Sequence, residues 1–421
     1  MASSRKFDKT IVIVTPWLGA FAGGAEALAR STAREFSRRG IPTIILTTCA
    51  QSPFDNWWQD HHAPGHSTVD GVDVRRFKTN KVSAAYRAVI EKMQNGGELS
   101  TADKQAFFDY SINSSDLISG LEQFMNDDYE ILALPYFYGL THSAAKTYPK
   151  RISLIPCFHD EQQFYWPLTG DLLANAKHIF YNSPEEKEMT IRNYGRAIGR
   201  KIVEGTVAGV AVEIADHEHN DFSPDDFSAP SLPSDYFVYV GRKEQGKNVP
   251  VLCEWFAAYA ESTDNNCKLV FIGGGESKLL PRSDHFLDLG FVSETTKQEV
   301  IRRSRGIINL SENESFSIVL MEAWLMGVPA VVSARCAVMR GHVRRCNGGL
   351  YVDDISEFLA ALDYLTHNPA VAERLAQNGK SYVLRNFSFD GVLARYLQAF
   401  KRKDAIRVSA QAANLDQESD V

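Results

Sequence analysis

Two carboxylates eight residues apart, Glu314 and Glu322, stand in the segment Glu314-Ser-Phe-Ser-Ile-Val-Leu-Met-Glu322. The first reads as a loop residue and the second lies inside an apolar helical run. Far upstream, Arg242 and Lys247 follow a strand-like run in Gly241-Arg-Lys-Glu-Gln-Gly-Lys247. Carboxylates accept hydrogen bonds from sugar hydroxyls, and Arg with Lys neutralises a diphosphate. The combination points to a site that holds a nucleotide sugar. Glutamates at this spacing are common on exposed helices, so the weight rests on the combination and its order.

Other groups fit the same chemistry, each against a plainer reading. Ser315, Phe316, Ser317 and Ile318 read as the start of the helix that carries Glu322, with N–H groups offered to phosphate. Leu320, Met321, Ala323, Trp324 and Met326 surround Glu322 with apolar neighbours, so that carboxylate needs a partner. The pair Gly23-Gly24 enters a helix and lets the backbone approach a ligand, or is simply a tight turn. His159 follows the strand-like run Ile152–Ile155, where ligand-binding groups sit in α/β topologies, although a lone His is more often structural. Gly273-Gly-Gly-Glu276 lacks the spacing of a dinucleotide fingerprint and reads as a turn. His61, His62 and His66 have no metal-ligand spacing, and the acidic pairs at 127–128, 225–226 and 353–354 read as turn chemistry, so no metal is expected.

The elements that must position these residues alternate between apolar strands and helices, which predicts parallel sheets covered by helices. Strands are expected at Ile11–Val14, Pro42–Leu46, Val72–Phe77, Ile131–Leu134, Ile152–Ile155 and His178–Tyr181. A second set is expected at Tyr236–Val240, Lys268–Ile272, Phe286–Leu289, Gly306–Asn309 and Ala330–Val332. Residues 82–126 read as an inserted helical excursion. The polar, Pro/Ser/Asp-rich stretch 217–235 reads as a surface connection between two domains, 1–203 and 204–391. The fold expected is α/β, with two doubly wound Rossmann-like domains facing each other across a cleft. The polar residues 404–421 are expected to be disordered.

With 421 residues, 44% hydrophobic and 23% charged, the chain has room for two soluble domains of roughly 200 residues. The net charge of −7 falls on the second part: residues 1–200 hold 22 basic and 22 acidic side chains, residues 201–421 hold 23 and 30. Neither part is basic, which argues against nucleic acid as a partner. A local patch that meets a membrane peripherally stays open. The N-terminus enters a strand without a signal-peptide pattern, and the six cysteines form no CxxC pair. A reduced, cytoplasmic setting is expected, with or without peripheral contact at an inner membrane.

Taken in order, the motifs resemble the retaining glycosyltransferases of the GT-B fold, in particular the large family four of bacterial polysaccharide and lipopolysaccharide sugar transferases. The resemblance runs through Gly23-Gly24-x-Glu26, Asp70-Gly-Val-x-Val-x-Arg-Phe77, Phe158-His-Asp160, Tyr239-Val-Gly-Arg242, Lys247-Asn248, Gly290-Phe-Val292, Glu314-x7-Glu322 and Gly327-Val-Pro-Ala-Val-Val332. It implies that Glu314 meets the donor sugar and transition state, that Glu322 accepts from the ribose, and that Arg242 and Lys247 clamp the diphosphate. Phe291 and Val292 match the strand end that carries the base. The backbone of Ser315–Ile318 adds phosphate and sugar contacts. His159 is similar to the histidine that approaches the donor sugar, and Gly23 and Gly24 line the phosphate and acceptor side. A helix at 392–403 is implied to return to the first domain.

The chain departs from the pattern twice. Ser315-Phe-Ser317 stands where Gly-Phe-Gly is usual, and Ala334–Cys346, with Arg335, Arg340, Arg344 and Arg345, replaces a Gly-Gly-x-x-Glu loop. Those arginines read as solvated in preference to binding an acidic donor group. The activity implied is metal-independent transfer of a sugar, with retention, from a nucleotide sugar to a hydroxyl of a glycan or lipid-linked oligosaccharide in cell-envelope polysaccharide biosynthesis. The alternatives are a nucleotide-sugar-binding protein without transfer activity and a phosphorylase- or epimerase-like GT-B enzyme.

Overall fold

The computed structural model describes residues 7–19, 23–54, 56–213, 232–262 and 266–402. Most of the connection expected at 217–235, and the tail at 404–421, lie outside the described residues. Contacts divide the chain into two units, Met1–Ala211 with Phe389–Val421, and Val212–Ser388.

The first unit is built on a six-stranded sheet in the order Gly65–Val69, Val72–Phe77, Thr43–Thr48, Thr10–Thr15, Tyr129–Ala133, Ile152–Leu154. All pairings are parallel except the edge hairpin Gly65–Val69 with Val72–Phe77. Residues 11–15 are fully buried, because a central parallel strand has helices on both faces. The hairpin strand was not foreseen. Its residues are nearly all exposed, so no apolar run marks it, and Asp70 and Gly71 turn it with positive φ of 51° and 76°. The excursion forms helices Ala84–Gln94, Thr101–Tyr110 and Ser115–Gly120.

A helix over 389–402 packs onto this unit through Tyr396 against Phe36 and Phe180, and through Phe400 against Phe180. A separate two-stranded pairing explains why the unit runs past residue 203. Thr206–Val207 pairs with Phe180–Tyr181, and the Ala208 carbonyl accepts from Arg395 Nε at 2.7 Å.

The second unit carries a six-stranded, fully parallel sheet in the order Phe286–Asp288, Lys268–Ile272, Tyr236–Val240, Ile307–Asn309, Ala330–Ser333, Gly349–Val352. Its strand order reverses between Tyr236–Val240 and Ile307–Asn309, where ligands of doubly wound sheets bind at the carboxyl ends. The edge strand Gly349–Val352 is another that the sequence reading missed, being four residues with only two buried. The core gathers Phe237, Tyr239, Phe256, Phe271, Ile308, Val331 and Phe358 around the sheet. Among the described residues no helix is long and apolar enough to cross a membrane, and none of the six cysteines forms a disulfide.

Candidate functional site

The loops at the strand-order reversal bring Lys247 and Glu314 together. The strand Tyr236–Val240 runs into a tight turn at Gln245–Lys247, and Asn248, with φ 59°, starts the helix Val249–Ser262. Asn248 Nδ2 donates to the Leu310 carbonyl at 3.2 Å, tying this turn to the loop after Ile307–Asn309. Lys247 Nζ then donates to Glu314 Oε1 at 2.8 Å and to the Asn313 carbonyl at 3.3 Å. Residues 67 apart in sequence thus form one ion pair, both side chains less than a quarter exposed. A cation and a carboxylate at this place can address a diphosphate and a sugar hydroxyl respectively.

Arg242 lies nearer the strand end, where its carbonyl accepts from Tyr239 Oη at 2.8 Å and its guanidinium meets Glu244 at 2.9 Å. Glu244 was not foreseen as its partner. Arg242 and Lys247 are thus each engaged by a carboxylate.

The helix expected from Ser315 starts later, at Ile318, and runs to Leu325. Ser317 precedes it in the left-handed region (φ 68°, ψ 76°), and Phe316 turns inward against His342 and Phe387 at ring separations of 5.2 and 4.8 Å. Anchoring Phe316 makes the backbone reverse sharply before the helix. The Ser317 hydroxyl is buried without a hydrogen-bond partner, so the residue carries both backbone strain and an unpaired polar atom. Ser317→Gly removes both and is expected to raise the free energy of unfolding by about 1 kcal/mol. A denaturant midpoint that stays put or falls would refute that account of residue 317.

Glu322 consequently lies little more than one turn into the helix. It does have the partner its apolar setting called for: Lys297 Nζ contacts its two oxygens at 3.2 and 3.0 Å, and also Glu294 at 2.9 Å. Burial pushes the Glu322 carboxyl up, against the pull of Lys297. For Lys297, burial is outweighed by Glu322 and Glu294, which hold the ammonium in its charged form. Lys297 went unrecognised because nothing in sequence links the helix Glu294–Arg303 to residue 322. The Glu322 helix itself is fixed by Trp324, whose indole donates to the Gly348 carbonyl at 2.7 Å. Gly379 allows the close approach, since a Cβ there would lie 2.3 Å from the Trp324 ring.

Phe291 follows the strand Phe286–Asp288 and is 66% exposed, its ring standing against Gly274; Val292 is half-buried. The segment 334–346, expected as a loop, is largely the helix Ala337–Cys346. Arg335 pairs with Asp353 at 2.9 Å and Glu312 at 3.6 Å, Arg340 donates to the Ala334 carbonyl, and Arg345 donates to Tyr382 Oη. Arg335 and Arg345 remain exposed. Burial, then Arg345, pushes His342 down to about 3, so it stays neutral.

In the first unit Gly23 is the N-cap of the helix Gly24–Arg38, in extended conformation, and a Cβ on Gly24 would meet nothing within 4 Å. His159 is half-buried, with Nδ1 3.7 Å from Glu161. Its segment is anchored from below by Glu186, which the sequence reading did not single out. One Glu186 oxygen accepts from Phe158 N at 2.6 Å and the other from Asn182 N. Burial pushes this carboxyl up to about 8, against those N–H donors. A folded value above the unfolded one means that the folded state binds more protons, so this contribution to stability is lost as pH rises toward 8. Unfolding free energy is expected to fall by on the order of 2 kcal/mol between pH 6 and 9. Glu186→Gln should flatten that dependence in thermal melts, and an equally steep profile in the variant would exclude Glu186 as its source.

Comparison with known proteins agrees with the architecture. The family of glycosyl transferases group 1 matches residues 225–382, the segment that carries Arg242, Lys247, Glu314 and Glu322. An uncharacterized glycosyltransferase of Methanocaldococcus jannaschii is 24% identical over 173 residues, 39% of this chain, and the match spans only 44% of that protein's length. The alpha-1,3/1,6-mannosyltransferase alg-2 of Neurospora crassa is 22% identical across 90% of this chain and 87% of its own. Among solved structures, the E. coli trehalose-6-phosphate structure bound with UDP-2-fluoro glucose superposes with a TM-score of 0.69 at 12% identity, covering 93% of this chain and 99% of that one. The fold is GT-B, with two Rossmann-like α/β halves. The matched family and both relatives are glycosyltransferases by name.

Proposed function

We propose that the protein is a retaining glycosyltransferase of family four, moving a sugar from a nucleotide donor to a hydroxyl of a glycan or lipid-linked oligosaccharide. The observation that carries this reading is the Lys247–Glu314 pair at the strand-order reversal of the parallel sheet. On donor binding, Lys247 and Arg242 exchange their carboxylate partners for the diphosphate. Glu314, released, faces the sugar hydroxyls and the charge that develops at the anomeric carbon. Glu322, oriented through both oxygens by Lys297, accepts from the ribose, and Phe291 with Val292 takes the base.

In transfer, the bond from the anomeric carbon to the diphosphate breaks and the acceptor oxygen bonds to that carbon on the same face. The acceptor proton passes to the leaving phosphate. Stabilising that leaving group is the electrostatic contribution expected to dominate, and two side-chain cations with the N–H groups before Ile318 can supply it without a metal. His159, Gly23 and Gly24 are assigned to the sugar and acceptor side. UDP-2-fluoro glucose in one structural relative, and UDP with glucose in another, make UDP-sugars the first candidates to screen.

The test is a thermal-shift screen of nucleotide sugars followed by transfer assays in excess EDTA, since a ligand that binds only the folded state raises apparent stability. A donor-specific shift with full turnover in EDTA supports the reading. Turnover lost in EDTA and restored by manganese overturns its metal independence. Tight donor binding with no transfer to any acceptor pool would instead favour a binding protein.

A further inference from the structure

We propose that Lys243 and Asp288 form a buried positioning pair that sets the geometry of the donor's nucleoside side, acting through the Gly273–Glu276 turn and Phe291. The inference rests on the donor-binding role proposed above and adds two residues to it.

Lys243 follows Arg242 in what reads as a solvated charge run, yet its side chain is only 1% exposed. Lysine is almost never so buried unless paired. Its Nζ meets Asp288 Oδ1 at 2.9 Å and also donates to the Gly273 carbonyl. Asp288 in turn accepts from Gly290 N at 3.0 Å and from Ser277 Oγ at 2.7 Å. One ammonium therefore joins the loops that leave three neighbouring strands, Tyr236–Val240, Lys268–Ile272 and Phe286–Asp288.

The main chain repeats the connection. Lys243 N donates to the Gly274 carbonyl, and the Lys243 carbonyl accepts from Glu276 N, both at 2.8 Å; Gly273 N donates to the Gly290 carbonyl at 2.7 Å. These loops lie so close that side chains do not fit. A Cβ at Gly273 would lie 2.3 Å from the Gly241 carbonyl, and one at Gly275 2.5 Å from the Lys243 carbonyl. Gly274, fixed in this way, is the surface against which the exposed Phe291 ring rests; a Cβ there would lie 2.4 Å from that ring. Displacing the turn displaces Phe291, the residue assigned to the base.

A buried ion pair is a poor way to gain stability, because desolvation offsets most of the attraction, and apolar residues of similar size often do as well. What a Lys–Asp pair with four side-chain hydrogen-bonding contacts adds is a defined position for each loop. Sites need such support because a displacement of about 1 Å can cost binding or rate by up to ~10²-fold.

The test compares the purified full-length protein with Lys243→Met/Asp288→Leu, which removes both charges together and leaves no unpaired ion. Binding of UDP, GDP and ADP is measured by calorimetry, and donor KM and kcat by transfer assay. The variant should melt close to the parent and keep its kcat, while affinity for the preferred nucleoside diphosphate falls and donor KM rises by about tenfold or more. Affinity and KM within twofold of the parent in the folded variant would overturn the inference while leaving the donor-site reading intact. Failure of the parent itself to bind any nucleoside diphosphate would overturn both. Asp288→Asn, nearly identical in shape, serves if the double variant does not fold: the same loss of affinity supports the pair, and parental affinity rejects it.

Discussion

Lys247→Ala is expected to lower turnover by about 10²- to 10³-fold while the protein stays folded. Two effects add in this variant. The cation that would neutralise the departing diphosphate is gone, and Glu314, 2.8 Å away from it, loses that positive neighbour beside the same developing negative charge. Arg242→Ala removes a cation as well, but the carboxylate it releases is Glu244, which has no assigned part in the chemistry. Its effect should therefore be the smaller of the two, about 10²-fold. Stability should change little, since partly exposed ion pairs contribute roughly 1 kcal/mol or less. Steady-state turnover together with a thermal melt separates these outcomes. Near-parental turnover in either folded variant would mean that the diphosphate clamp is misassigned, and a larger loss in Arg242→Ala would remove the special place given to the Lys247–Glu314 pair.

The ordering of these effects depends on a contact that the sequence contained only in part. Arg242, Lys247 and Glu314 stood out as candidates because their residue types are chemically unusual after apolar strands, and alternating strands and helices imply that such ends converge; Glu322 stood out as a carboxylate inside an apolar helical run. All eleven strands expected from apolar runs are present. The missed strands, Gly65–Val69, Thr206–Val207 and Gly349–Val352, are short or exposed edges, where burial leaves little hydrophobic signature. Pairings were not legible. Lys243 and Lys297 look like solvated charges in sequence and become partners of Asp288 and Glu322 only when loops and helices 45 and 25 residues apart are brought together. Local backbone shape was also hidden: the inward turn of Phe316 delays the helix to Ile318 and forces Ser317 into a left-handed conformation.

The two glutamates should separate cleanly in kinetics. Glu314→Gln is expected to lower kcat by about 10²-fold with donor affinity unchanged or tighter. A carboxylate that acts on charge developing at the sugar is used in the transition state, so its loss appears in kcat. In the unliganded protein the same carboxylate occupies Lys247, and the donor must displace it. Neutralising residue 314 frees that ammonium for the diphosphate and so removes a competitor of donor binding. Glu322→Gln should behave oppositely, raising donor KM about tenfold with kcat nearly unchanged, because a ribose contact is made equally in ground and transition states. Lys297 would then be left with Glu294 and would no longer orient residue 322 through two oxygens. Donor binding by calorimetry and saturation kinetics on both variants decide the matter. If Glu314→Gln weakens donor binding as much as Glu322→Gln does, then Glu314 serves ground-state binding and the exchange of Lys247 from carboxylate to diphosphate is not part of the mechanism.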